Sequence, residues 1–178
     1  MHPRHFALLF CALLLTAAQA KAKTVLPDSC GDDSVKFDVK AEKNHPAPAG
    51  PADGKAQIVF IDTVPQEGPF MPSVRYGVDG NWAGANKGNS YFTIDVDPGV
   101  RHLCVSAQGV RSSVAKDFVD MATVTVEAGK VYYFESAFNV IGGHAGGGIL
   151  SFGFAPVDED QGKYRVKAWK LATWKTNK

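Results

Sequence analysis

The chain is short of cysteine, of net charge and of long apolar runs, and each shortage excludes something. Its 178 residues hold three cysteines and five histidines, with no Cys-x-x-Cys and no His-x-x-x-His, so the local ligand pairs of zinc sites are missing. A metal site would have to be assembled from distant residues such as His45, His102 and His144, and no cofactor is expected. Lys and Arg total 19 against 18 Asp and Glu, which gives no field to gather a polyanion, so nucleic acid is not an expected partner. There is no Gly-x-Ser-x-Gly nucleophile elbow and no Gly-Lys-Ser/Thr phosphate loop. The glycine-rich stretch Gly142 to Gly148 therefore reads as a hairpin loop. Asp95 and Asp97 share one face of a strand, where carboxylates are usually solvated, and Asp97 before Pro98 is a turn former.

The single long apolar run is Phe6 to Leu15. It follows His2, Arg4 and His5 and precedes Ala18-Gln19-Ala20, the order of a cleavable secretory signal over residues 1–20, with cleavage expected between Ala20 and Lys21. Read instead as a membrane anchor, the run falls short of the ~20 apolar residues of a bilayer span. No later stretch is longer, so no transmembrane segment is expected in the mature chain and its location is periplasmic or secreted. Neither Leu8-Leu9-Phe10-Cys11 nor Pro27-Asp28-Ser29-Cys30 suits lipid attachment. With Cys11 inside the signal, Cys30 and Cys104 remain, and two exported thiols most often form one disulfide, though spacing alone leaves two free thiols open.

Residues 21–54 are polar and broken by Pro46, Pro48 and Pro51, which predicts an extended arm with a short strand Val35 to Val39 and a proline-rich linker. A sandwich domain follows over 55–157. Ala56 to Ile61 suits a buried strand, Thr63 to Pro72 a loop, and Val74 to Val78 a strand ending at the turn Asp79-Gly80. Gly84 to Ser90 reads as a turn-rich link. In Tyr91 to Gln108, Phe92, Ile94 and Val96 alternate with polar residues, as do Leu103, Val105 and Ala107, so a hairpin is predicted about Asp97-Pro98-Gly99. Cys104 then points away from the Leu103 face, where an arm folded across the sheet could bring Cys30. Val110, Val114, Phe118 and Met121 have the spacing of a short helix. Ala122 to Glu127 alternates as a strand, and Val131 to Phe138 pairs with Ile149 to Phe154 across the glycines. At 158–178, Asp158, Glu159 and Asp160 open a short helix that Gly162 weakens, and a basic tail follows. Tyr164-Val166-Ala168 fits strand alternation equally well. About seven strands with turn signals and no βαβ rhythm give an all-β class, an antiparallel β-sandwich with a short C-terminal helix.

Val78-Asp79-Gly80-Asn81-Trp82, Gly84-Ala85-Asn86, Pro98-Gly99, His102-Leu103-Cys104 and Ala128 to Phe134 together resemble the bacterial family called domain of unknown function 2846. The Cys30-Gly31 and Val35 to Val39 segments resemble the amino-terminal part of its exported members. The same turns are similar to PEGA-type surface modules, so the resemblance implies a PEGA-like or Ig-like sandwich. Many members of the family are lipoproteins, whereas this chain has no lipidated cysteine. The family supplies no catalytic residue to carry over.

The expectation is an exported, non-enzymatic sandwich of the bacterial envelope with a binding or assembly role. Its partner would be an envelope protein or a glycan. A carbohydrate-binding module is the alternative, with Tyr76, Trp82 and Tyr91 offering ring faces to a ligand, although tryptophans are mostly core residues. A hydrolase with a site assembled from distant residues is a second alternative. Lys163, Arg165, Lys167 and Lys170, interleaved with Trp169 and Trp174, could instead contact an anionic membrane surface, or the end could be solvated with Trp169 packed on the sandwich.

Overall fold

The computed structural model describes residues 26–64, 72–108, 118–141 and 149–177. The signal segment, most of the Thr63 to Pro72 loop, the first part of the expected Gly109 to Met121 helix and the glycine bridge lie outside these residues.

The described residues form ten strands and one helix in two facing sheets, an all-β sandwich. The larger sheet contains β1 (Lys36–Glu42), β2 (Ala56–Asp62), β5 (Ser90–Val96), β8 (Val131–Ile141), β9 (Ile149–Val157) and β10 (Lys170–Asn177), in the order β1-β10-β5-β2-β8-β9. The smaller contains β3 (Ser73–Val78), β4 (Asn81–Asn86), β6 (Gly99–Gln108) and β7 (Val119–Val126), in the order β4-β3-β6-β7. Helix α1 (Glu159–Ala168) lies between β9 and β10. Most pairings are antiparallel, but β2 with β8 and β5 with β10 run parallel.

Between the sheets, Ile58, Phe60, Tyr76, Phe92, Leu103, Val105, Phe134 and Phe154 form the main core. Phe60 touches the rings of Tyr76, Phe92 and Phe154 at centroid distances of 4.9, 5.2 and 6.2 Å. Both outer faces are also partly covered. On the larger sheet, Val59, Ile61, Tyr91 and Tyr133 pack under Val166 and Trp169 of the α1 region, which makes every residue of β2 buried. On the smaller sheet, the cover is the segment from Pro27 to Val35.

Several expectations are corrected here. Asp97-Pro98-Gly99 does not close a hairpin: β5 belongs to the larger sheet and β6 to the smaller, so the turn carries the chain across the sandwich. Alternation fixes which face of a strand is buried but not which strand it pairs with. Of the link read over Gly84 to Ser90, Gly84 to Asn86 belong to strand β4 and only residues 87–89 connect it to β5; β4 pairs with β3 across Asp79-Gly80, both at positive φ (49° and 85°). Such a pair of left-handed residues closes a tight hairpin. Met121 belongs to β7 rather than to a helix.

The described parts of the arm and the tail are not appendages. β1 and β10 pair antiparallel along their full length, from Lys36 opposite Asn177 to Glu42 opposite Leu171, so the arm and the tail both belong to the sandwich. The proline-rich linker is docked as well. Gln57 donates its side-chain amide to Ala49 O at 3.0 Å, and Ala52 N–H donates to Asp95 at 3.2 Å. Helix α1 starts on Asp158, whose carboxylate accepts from Gln161 N–H at 2.8 Å, so this stretch is helix and not strand.

Candidate functional site

Cys104 faces outward on β6 and is joined to Cys30, with a Cα separation of 5.1 Å. The bond pins the segment before β1 over the smaller sheet, and polar contacts extend the attachment. Buried Arg75 on β3 donates to Val35 O, to the Asp33 carboxylate and to the Ser106 hydroxyl, each at 3.0 Å. Gly77 gives the backbone room, since a Cβ there would stand 2.8 Å from Ser29 O. Trp82 donates its indole N–H to Asp32 O at 2.8 Å and carries the Arg75 guanidinium 4.5 Å over its ring.

These contacts settle where the expected ligand aromatics lie. Tyr76 and Tyr91 are fully buried, Tyr76 between the sheets and Tyr91 under the arm, so neither offers a ring face to a sugar. Trp82 is half-buried and stacked against the strap at Gly31. The three side chains sit in three different packing environments and do not form one platform. The expectation of an aromatic ligand surface is corrected, because each ring is used to close the fold.

A polar cluster lies at one end of the interior. Asp62 accepts from the N–H groups of Val64 and Gly88, both at 2.8 Å, and from the Ser136 hydroxyl. Tyr76 and Ser136 share a 2.6 Å hydrogen bond, and Asn86 donates to Phe60 O at 3.0 Å. Burial of Asp62 outweighs the three donors, and its pKa is pushed up to about 7. The cluster is sealed from solvent and ties the turn after β4 to β2. Its chemistry had no local motif in the sequence, since Asp62, Tyr76 and Ser136 meet only through the fold.

The basic residues near the C-terminus divide into two sets. Lys163 pairs with Glu159 on the same helix, and Arg165 lies 3.0 Å from Glu135 and 4.7 Å above the Trp169 ring. Burial raises the Glu135 pKa, with Arg165 pulling the other way. Trp169 packs on the outer cluster of the larger sheet, and Trp174 enters the interior against Phe92, at a centroid distance of 4.8 Å. Trp174 is therefore a packing residue, which corrects its expected surface role. Lys167 and Lys170 have no ion partner among the described residues and line a cavity of about 490 Å3 together with Lys43, Gly88 and Asn89. Sequence reasoning missed Lys43, because the arm carries no signal that it docks beside α1. His45 provides that dock, bonding Trp169 O at 2.9 Å and the Tyr91 hydroxyl at 3.1 Å. A second cavity of about 550 Å3 adjoins the first at Lys167 and is lined by His45, Ala47, Pro48, Tyr133 and Val166.

Among the described residues no group of three metal-ligating side chains is assembled, and no helix is long and apolar enough to cross a membrane. No family model, curated protein or solved structure matches the chain.

Proposed function

We propose that the chain is an exported, non-enzymatic β-sandwich of the bacterial envelope that works by binding, and that its working surface is the cationic face beside α1. The observation that carries this reading is the placement of Lys43, Lys167 and Lys170 around one cavity that no carboxylate lines, with none of the three in an ion pair among the described residues. In a chain with a formal net charge of +1, three such ammonium groups on one face are a local excess. Lysines near an anionic membrane surface contribute about 1 kcal/mol each. The resemblance to envelope proteins and the amino-terminal signal pattern support a location outside the cytoplasm for this surface, and the disulfide suits an oxidising compartment.

The test is co-sedimentation of the mature chain with vesicles. Binding to phosphatidylcholine vesicles containing phosphatidylglycerol is expected, weakening as salt is raised and lost when Lys43, Lys167 and Lys170 are all changed to Gln. Equal binding to neutral and anionic vesicles, or none to either, would remove the reading. The export component is checked by the mass of the mature amino terminus, expected to begin at Lys21.

A further inference from the structure

The 490 Å3 cavity brings together three cations that the fold had no structural need to unite. Lys167 has a local explanation, because a basic residue in the last turn of a helix offsets the negative end of its dipole. That end carries only about half a charge, which cannot balance three ammonium groups. The other two come from opposite strand ends. The β1–β10 register closes with Glu42 opposite Leu171, and Lys43 and Lys170 are the residues immediately beyond that last pair on the two segments. Like charges set opposite each other across strands are destabilising. Elsewhere in the same pair the rule is obeyed, with Asp38 opposite Lys175.

The floor of the cavity is held in place. Gly88 N–H donates to Asp62 at 2.8 Å, Lys87 N–H to the Ser90 hydroxyl at 3.1 Å, and Lys170 N–H to Asn89 O at 3.2 Å. Asn89 is exposed at a φ of 43°, and its side-chain amide makes no hydrogen bond among the described residues. It supplies a neutral donor beside the three ammonium groups.

We infer that this cavity is a binding site for a phosphate monoester group, held by Lys43, Lys167 and Lys170 with Asn89 as a further donor. A phosphate monoester carries a charge of about −1.5 to −2 at neutral pH and presents three acceptor oxygens, which suits three cations better than a single carboxylate does. The cavity is larger than a bare phosphate ion requires. The adjoining space, lined by Ala47, Pro48, Tyr133 and Val166 together with His45, Lys163 and Lys167, gives room and apolar contact for the body of the ester. This inference rests on the proposal that the cationic face is the working surface, and it adds a discrete pocket to that face.

Two measurements on the full mature chain test it and separate the possible sources of the group. Calorimetric titration with inorganic phosphate is expected to show one saturable site. Lys43→Gln and Lys170→Gln should each weaken it about tenfold, the size of one lost charge-assisted hydrogen bond. Lys175→Gln removes the same charge at the other end of β10 and should change little. In parallel, phosphatidic acid vesicles are compared with phosphatidylglycerol vesicles at matched surface charge. Preference for the former, displaced by free phosphate beyond the effect of equal ionic strength, assigns the site to a lipid headgroup, whereas phosphate binding without that preference assigns it to a soluble ester. Phosphate binding that is not saturable, or that falls equally in all three variants, overturns the pocket. If anionic vesicles still bind in that case, the surface reading survives alone; if they do not, both fail.

Discussion

Cys30 and Cys104 are joined across 74 positions of sequence, and their bond closes the segment from Pro27 to Val35 over the outward face of the smaller sheet. Closing a loop of that length stabilises a fold by about 4 kcal/mol in the chain-entropy treatment. The double variant Cys30→Ser, Cys104→Ser leaves no lone thiol. It should melt about 10 °C lower than the parent in calorimetry, since each kcal/mol shifts a domain of this size by about 2–4 °C. Alkylation of the unreduced native protein should find neither cysteine free.

Gly162 is the only buried residue of α1, and it lies on the face of Tyr133, where an added Cβ would stand 2.3 Å from the ring. The expectation that this glycine weakens the helix is therefore only part of its role. An alanine would gain about 1 kcal/mol of helix propensity but would need the buried base of a tyrosine ring to move. Gly162→Ala should destabilise by about 1–3 kcal/mol in urea unfolding, with the native near-ultraviolet signal of Trp169 altered. Placing the same change on a Tyr133→Leu background should restore part of the loss.

What the sequence revealed depended on how local the information was. Alternation in Ala122 to Val126 gave the core of β7, the aromatic runs gave β8 and β9, and Asp79-Gly80 gave the turn between β3 and β4. The acids at the start of α1 were legible because a cap is set by residues three apart. The partition of strands between sheets was not, because Phe92 and Leu103 alternate correctly in either a hairpin or a crossover. β4 was hidden by its composition: Gly84 and Ala85 have little strand preference, and Gly84 is small because Trp174 and Phe92 press against it. The cationic cavity was half legible. Lys167 and Lys170 stood out in a basic run, whereas Lys43 joins them only through the pairing of β1 with β10.

That pairing makes the C-terminal strand indispensable. β10 sits between β1 and β5, and Trp174 carries contacts to Phe37 and Phe92. A chain ending at Trp169 would expose the edge of β5 and strand β1 without a partner, so it should lose cooperative unfolding rather than remain a folded domain lacking a basic tail. The milder change Trp174→Ala should cost about 3 kcal/mol by opening a cavity beside Gly84. Urea denaturation followed by tryptophan fluorescence separates the two, with a shifted but sigmoidal transition for the point variant and none for the truncation.

The buried Asp62 sets the pH dependence of stability. In the folded protein its pKa is pushed up to about 7, while the unfolded chain titrates it at the ordinary value of 3.8. Between those values the native state holds a proton that the unfolded state has released, so stability falls as pH rises through this window. The full effect is up to about 4 kcal/mol, at about 1.4 kcal/mol for each pKa unit. Glu135, raised by burial against the pull of Arg165, acts in the same direction. Below the window the sign reverses. Asp79, whose burial is outweighed by the His102 amide and Arg101, and Asp97, held by Lys55, both have lowered values, and their contribution is lost as acid protonates them. Urea midpoints should therefore rise from pH 8 to about pH 5 and fall below about pH 4. Asp62→Asn keeps the size of the side chain but cannot titrate, and although it gives up one backbone acceptor, it should flatten most of the rise between pH 8 and pH 5. An unchanged slope in that variant would move the titration to another group.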